Sequence, residues 1–415
     1  MQNSIPFIEK FLSHFQAAFS KKQMSVFRQL IYAMFHDYKR LSLSSLAHQA
    51  NINYQQLQYF FSESDWDIDQ LNAIRLKILS SQTTTKPSAK SVLAIDDTSC
   101  PKPHAQKTEG AQFQYCGSLG REENCNVAVA SCFVSESKHC PLNFKSYIPD
   151  AKPQDFKSKL DLAKDLILDA INQNLPFKAI VFDAWYTSSD LIEFIAAHCR
   201  SLIAETKINR SILFIHPQTK QRIYLRADQI IALIKQFFPH KLKPVFIPQK
   251  NGKLKSVFTY CFQSKLKDCS TPLQILFVFD KWSDPDDKDV HVLITNNLVF
   301  SPETIIKTYL LRWGIEESFR ELKDNFSFDQ YQVRHQEQIQ GHWIMAFLAW
   351  SLTYWIKNNG CLSKIIDNPP QSIGQCKDAV ASLIIIDSAF LLSKNPNAAI
   401  YLAFKSQKFF DQRKY

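Results

Sequence analysis

The spacing of polar and apolar positions changes character several times along this chain. Residues 1 to about 79 carry apolar side chains at helical intervals and predict an all-helical region. Inside it, Leu43 to Phe61 predicts two short helices joined by a tight turn. Leu46, Ala47 and Ala50 face inward from the first helix, Ile52 from the turn, and Leu57 with Phe60 or Phe61 from the second. Residues 80–90 are polar and contain a proline, so they read as a linker. From Ser91 the pattern switches. Val92-Leu-Ala-Ile-Asp96-Asp97 and Ala179-Ile-Val-Phe-Asp183 are short aliphatic runs that stop at acids, as buried strands do. Residues 124–134, 142–147 and 290–295 predict further strands. Residues 156–173 and 189–199 predict helices flanking the Asp183 strand, and 302–324 one longer helix. Strands followed by alternating helix and strand give an α/β domain. The longest apolar stretch, Trp343 to Ile356, is shorter than the ~20 residues a bilayer demands. It reads as a buried core helix.

Composition sharpens this outline. A chain of 415 residues with 45% hydrophobic content holds two or three domains. The net charge of +10 points to an anionic partner. That charge is concentrated: Thr206 to Cys269 holds 13 Lys and Arg against Asp228 and Asp268, a net of +11, and the rest of the chain is close to neutral. The ten cysteines include no CxxC pair, and Met1 to Lys10 lacks the basic start and apolar run of a signal peptide, so the thiols are expected to be reduced and structural. Eight glycines form no phosphate loop of the GxxxxGK type, so ATP is not expected as a cofactor.

The most specific pattern is Tyr309-Leu-Leu-Arg312-Trp-Gly-Ile-Glu316-Glu-Ser-Phe-Arg-Glu-Leu-Lys323. At 100° per residue on one helix, Tyr309, Arg312, Glu316 and Lys323 fall within an arc of roughly 60°. A carboxylate beside two cations suits phosphoryl transfer on nucleic acid; the alternative is an exposed helix with ion pairs.

This spacing, Tyr-x2-Arg-x3-Glu-x6-Lys, resembles the signature around the last catalytic acid of bacterial insertion-sequence transposases of the DDE class. The segment Gln114 to Asn126 also looks like one branch of them. The resemblance covers roughly residues 90–345. It implies a ribonuclease-H-like α/β core (91–345) with a basic, β-rich insertion at about 206–289. An all-α DNA-binding region with a helix-turn-helix (1–79) precedes the core, and a helical tail (346–415) follows it. It implies that Asp97, the acid before Thr98, joins Asp183 and Glu316 as catalytic and metal-binding residues. Asp96 remains an alternative, since adjacent strand residues point to opposite faces. The implied cofactor is Mg²⁺, with Mn²⁺ able to substitute. Tyr309, Arg312, Lys323, Lys102, Lys107, Lys250, Lys253 and Lys255 are implied DNA contacts. The implied activity is cut-and-paste transposition at terminal inverted repeats by a cytoplasmic, nucleoid-associated enzyme that dimerises in its synaptic complex, with no membrane partner. A DNA-binding regulator or a non-mobile nuclease of the same descent is the alternative.

Overall fold

The structure, a computed structural model, describes residues 5–36, 42–50, 52–248, 253–281, 289–363 and 365–394. The chain forms two compact units. One comprises Met1–Lys86, Gln106–Glu109 and Arg320–Tyr415; the other comprises Pro87–Ala105 and Gly110–Phe319.

The first unit begins with α1 (Pro6–Ser13), α2 (Lys21–His36), α3 (Leu43–Ala50), α4 (Tyr54–Ser62) and α5 (Ile68–Ser80). Side-chain caps define two of the starts. Asn53 accepts a hydrogen bond from the Gln55 N–H at α4, and Asp67 from the Asp69 N–H at α5, satisfying amides the helix cannot. Leu46, Ala47, Ile52, Leu57, Phe60 and Phe61 are buried at the α3–α4 pair, while Asn53, Tyr54, Gln55, Gln56 and Gln58 are exposed.

The second unit is built on β1 (Val92–Pro101), β2 (Gln112–Cys116), β3 (Arg121–Val134), β4 (His139–Tyr147), α6 (Lys159–Asn172), β5 (Ala179–Phe182), α7 (Ser189–Ala197) and β6 (Leu202–Glu205). It continues through β7 (Ser211–Ile215), β8 (Arg222–Arg226), α8 (Ala227–Phe237), β9 (Lys243–Pro248), β10 (Leu254–Ser264), β11 (Leu273–Phe279) and β12 (Val290–Thr295). It closes with α9 (Pro302–Leu310) and the start of α10 (Trp313–Phe326). Ser158, Ser188 and Ser301 cap α6, α7 and α9. One ten-stranded sheet runs β2-β3-β1-β5-β6-β12-β11-β10-β9, with β4 on β3. β1, β5 and β6 are parallel to one another, and the other pairings are antiparallel. β1 and β5 are buried along their aliphatic runs, which is why those runs are continuous rather than alternating.

Within the segment 206–289, β7 and β8 form their own two-stranded sheet, while β9, β10 and β11 extend the main one. Two expectations change. The single helix over 302–324 is two. α9 ends at Leu310, and i to i+3 hydrogen bonds carry the chain through Leu311 and Arg312 into α10. The tail boundary at 345/346 falls inside α11 (Gln336–Asn358), which with α12 (Ile373–Ser393) belongs to the same unit as α1–α5. α11 is buried almost all round, as an apolar helix without a polar face must be.

Candidate active site

β5 ends at Phe182 beside β1, whereas β1 runs on through Asp96 and Asp97 to Pro101, so Asp183 follows a strand end while Asp96 and Asp97 lie within a strand, opposite Ala130 and Val129 of β3. Each acid has a distinct environment. Asp97 accepts from Lys159 Nζ at 2.9 Å and from the Tyr186 hydroxyl at 2.9 Å. The Lys159 ammonium also lies over the rings of Trp185 and Tyr147, at 5.2 and 5.6 Å. Asp183 caps its own turn, its Oδ1 accepting from the N–H groups of Trp185 at 2.9 Å and Tyr186 at 3.3 Å. Asp96, one residue before Asp97 and therefore on the other face, receives Arg312 Nη1 at 3.3 Å. Burial, and then the like charges of Asp183 and Asp97, push the Asp96 carboxyl up to about 7, with Arg312 pulling the other way.

α9 and α10 bring in the rest. Arg312 is 9% exposed and spans two acids: Nη2 lies 2.8 Å from Glu316 Oε1 while Nη1 reaches Asp96. Its guanidinium sits 5.2 Å from the Trp313 ring centroid and 6.0 Å from that of Tyr309. The start of α10 is seated by small residues. A Cβ on Gly314 would stand 2.3 Å from Val134 Cγ1 at the end of β3, so only glycine allows this approach. One turn on, Ser318 Oγ donates to the Gly314 carbonyl and lies 3.2 Å from Cys132 Sγ. Glu316 is thereby held on the half-buried side of a helix pressed against the sheet.

The structure thus brings Asp96, Asp97, Asp183, Tyr309, Arg312 and Glu316 into one unit. Lys323, seven residues beyond Glu316 on α10, falls in the other unit, as does Lys107. Lys102 is half-buried in a loop pinned to Asn124, whose Nδ2 donates to the carbonyls of Lys102 and Ala105. Lys253 is exposed, Lys255 pairs with Asp280 at 2.5 Å, and Lys250 lies outside the described residues.

The sequence reading missed four partners. Lys159 and Tyr186 hold Asp97. Glu205 ends β6 beside Asp183, and its carboxylate accepts from the Tyr309 hydroxyl at 3.0 Å and from His291 Nδ1 at 2.7 Å. The signal for Glu205 was available: Leu202-Ile-Ala-Glu205 is again an aliphatic run that stops at an acid.

All the carboxylates here offer hard oxygen donors, and burial followed by the like charges of Asp183 and Asp97 raises Asp96, so the donor chemistry suits a hard divalent cation. The cations standing against them are Lys159 and Arg312. Among the described residues, no three His, Cys, Asp or Glu side chains converge closely enough as they stand to hold one ion.

Acids from within β1 and from the end of β5, a helix acid and a shared guanidinium form the kind of centre that acts on phosphodiesters. The chain belongs to the DDE superfamily endonucleases: the model of that family matches residues 11–227, a span that includes Asp97 and Asp183 and stops before Glu316. Among known proteins it is similar to the probable transposase for insertion sequence element IS701 of Microchaete diplosiphon, 22% identical over 352 residues, which are 81% of this chain and 84% of that one. A solved structure, the Drosophila P element transposase strand transfer complex, aligns over 93% of this chain and 87% of its own at 11% identity, with a TM-score of 0.23.

Proposed function

We propose that this chain is an insertion-sequence transposase that cleaves DNA strands at the terminal repeats of a mobile element and joins the freed 3′ ends to target DNA. The observation that carries this is the Arg312 guanidinium shared between Asp96 and Glu316, with the Asp183 carboxylate near Asp96, in a chain of the DDE family. Topology supports a ribonuclease-H-like core. The order β4-β3-β1-β5-β6 has three antiparallel strands followed by two parallel to β1.

Asp97, Asp183 and Glu316 would hold divalent cations, Mg²⁺ in the first instance. When bound, such ions polarise the phosphoryl group and stabilise the charge on the attacking and leaving oxygens. The protein's own residues do the rest. In hydrolysis a water oxygen attacks phosphorus, the P–O3′ bond breaks, and the 3′ oxygen leaves as a hydroxyl. In joining, that hydroxyl attacks a target phosphodiester and displaces its 3′ oxygen. Arg312, freed from one of its two acids, offers a fork of donors to phosphate oxygens beside the scissile bond. Asp96 anchors that guanidinium from behind. Asp96, which lies near Asp183 and pairs with Arg312, is the alternative to Asp97 as the cation ligand. Lys159 neutralises Asp97 until DNA and metal arrive. Lys323 extends the phosphate contacts along α10. The basic strands β8–β10 supply sequence-independent contacts, and the α3–α4 pair recognises the element end.

The test is a strand-cleavage and strand-transfer assay with terminal-repeat DNA and Mg²⁺. Wild type should cut and join, while Asp183→Ala should bind DNA and do neither. A chain that binds the repeat but never cuts it is a regulator. One that cuts without joining is a nuclease.

A further inference from the structure

Glu205 is a carboxylate at the active edge that the roles above do not use. β5 and β6 are parallel, with Phe182 paired to Ala204, so the residues after them, Asp183 and Glu205, end neighbouring strands. Thr187 Oγ1 ties the two strand ends together, 2.6 Å from the Glu205 carbonyl and 3.1 Å from that of Asp183. Despite this position, the Glu205 side chain is turned to other partners. One oxygen accepts from His291 Nδ1 on β12 and the other from the Tyr309 hydroxyl on α9. Both oxygens are therefore engaged, and neither partner is one of the other acids. Burial pushes this carboxyl up, but the hydrogen bond and charge of His291 and the Tyr309 hydroxyl outweigh it and hold it below the ordinary value. Tyr309 in turn lies next to Arg312, three residues on, at the junction where α9 gives way to α10.

A tyrosine at the end of a helix has rotamer freedom. Held by a fixed acceptor on the sheet, it loses that freedom and becomes a wall for the guanidinium beside it. We propose that Glu205 and His291 are positioning residues. His291 orients the Glu205 carboxylate, Glu205 fixes the Tyr309 hydroxyl, and the fixed ring sets Arg312 against the scissile strand. Glu205 is not a fourth metal acid. This inference rests on the transposase reading and deepens it.

The experiment uses the full chain, a DNA duplex carrying the element end, and Mg²⁺ titrated as the probe. Glu205→Ala and Tyr309→Phe are each expected to slow cleavage about 10- to 100-fold, the range for a lost preorganising contact. DNA affinity and the Mg²⁺ concentration for half-maximal rate should stay within about threefold. The double variant should be no slower than the slower single one, because both act through one contact. Glu205→Gln, which keeps an acceptor for the tyrosine, should recover most of the rate. Multiplying losses, or a Glu205→Gln as slow as Glu205→Ala, overturns the relay. A Glu205→Ala variant whose only defect is a raised Mg²⁺ requirement makes Glu205 a metal ligand instead. If wild type cleaves, Asp183→Ala does not, and Glu205→Ala matches wild type, this inference alone fails. If wild type does not cleave at all, the transposase reading fails with it.

Discussion

The two units differ in how they hold charge. In the helical unit, Arg75 is fully buried, yet its Nε and Nη2 donate to Asn72 and its Nη1 to Ser351 on α11. Trp350 on the same helix gives its indole N–H to Glu321, and His342 meets the Ser327 carbonyl. These groups have hydrogen-bond partners inside their own unit, and the result is a packed core. At the sheet, burial and the neighbouring carboxylates of Asp183 and Asp97 push the Asp96 carboxyl up to about 7. There Arg312 is shared between two acids, and its Nε finds no hydrogen-bond partner. Repulsion that could have been removed by an Asn is retained. Stability explains the first region; only a visiting cation or phosphate explains the second.

The sharpest break in this comparison comes from removing a charge at the edge. Asp183→Ala, Asp97→Ala or Glu316→Ala should each reduce strand cleavage by about three orders of magnitude or more, because an oxygen ligand is lost. Chelation should do the same to wild type. Asp96→Ala should hurt less than Asp97→Ala; the reverse order in a cleavage assay exchanges their roles.

The opposite result is expected in the helical unit. Trp343 on α11 is fully buried against Phe328 and Tyr331. Trp343→Ala should cost about 3–5 kcal/mol of stability, read from denaturant unfolding. Cleavage per folded molecule should be unaltered. A variant that keeps its stability but loses turnover would end the division of labour.

Between these lies Arg312→Lys. A point charge cannot span Asp96 and Glu316 as the fork does, so cleavage should fall about 10- to 1000-fold, with DNA affinity changing less. If Arg312→Lys cleaves at the wild-type rate, Arg312 is an ordinary ion-pair partner.

The sequence made some of this legible and hid the rest for physical reasons. Aliphatic runs ending in acids located β1 and β5, because a strand buried on both faces has to be apolar along its length. Tyr309, Arg312 and Glu316 were found through spacing, although the backbone between them tightens at Leu311–Arg312 and the four-residue stripe is not one regular helix. Long-range pairings were invisible. Nothing local joins Lys159 to Asp97 across 62 residues, or Glu205 to Tyr309 across 104. The reason for a glycine at 314 lies on β3, in Val134. That β9, β10 and β11 extend the main sheet was hidden too, because sheet order is not written in sequence order.

A smaller effect sharpens the electrostatic half. The folded-state pKa of Asp96 lies above its unfolded value of 3.8. Its contribution to stability is therefore complete below about pH 4 and is lost as pH rises through about 7, where the folded site must surrender a proton the unfolded chain has already lost. Asp96→Asn carries no such penalty and keeps an oxygen for Arg312. In metal-free buffer it should be more stable than wild type by about 1–3 kcal/mol at pH 8 and equal to it at pH 4. Parallel stability curves across that window would mean the repulsion is not there.

The smallest effect concerns the basic strands, whose charge is the counterpart of the acid edge. Counterion release makes log K for DNA fall with log salt by about 0.9 for each phosphate neutralised. Lys243, at the start of β9, is exposed, whereas Lys255 on β10 is already held by Asp280 at 2.5 Å. A lysine paired with a carboxylate brings less net charge to a phosphate than one without. Lys243→Gln should therefore lower the salt slope by close to a full contact, equally on repeat and random duplexes, and Lys255→Gln by distinctly less. Asp280→Asn should act in the other direction, steepening the slope by freeing Lys255. If all three variants leave the slope unchanged in a salt titration of binding, DNA does not run along these strands. The +11 charge between Thr206 and Cys269 would then be solvated surface.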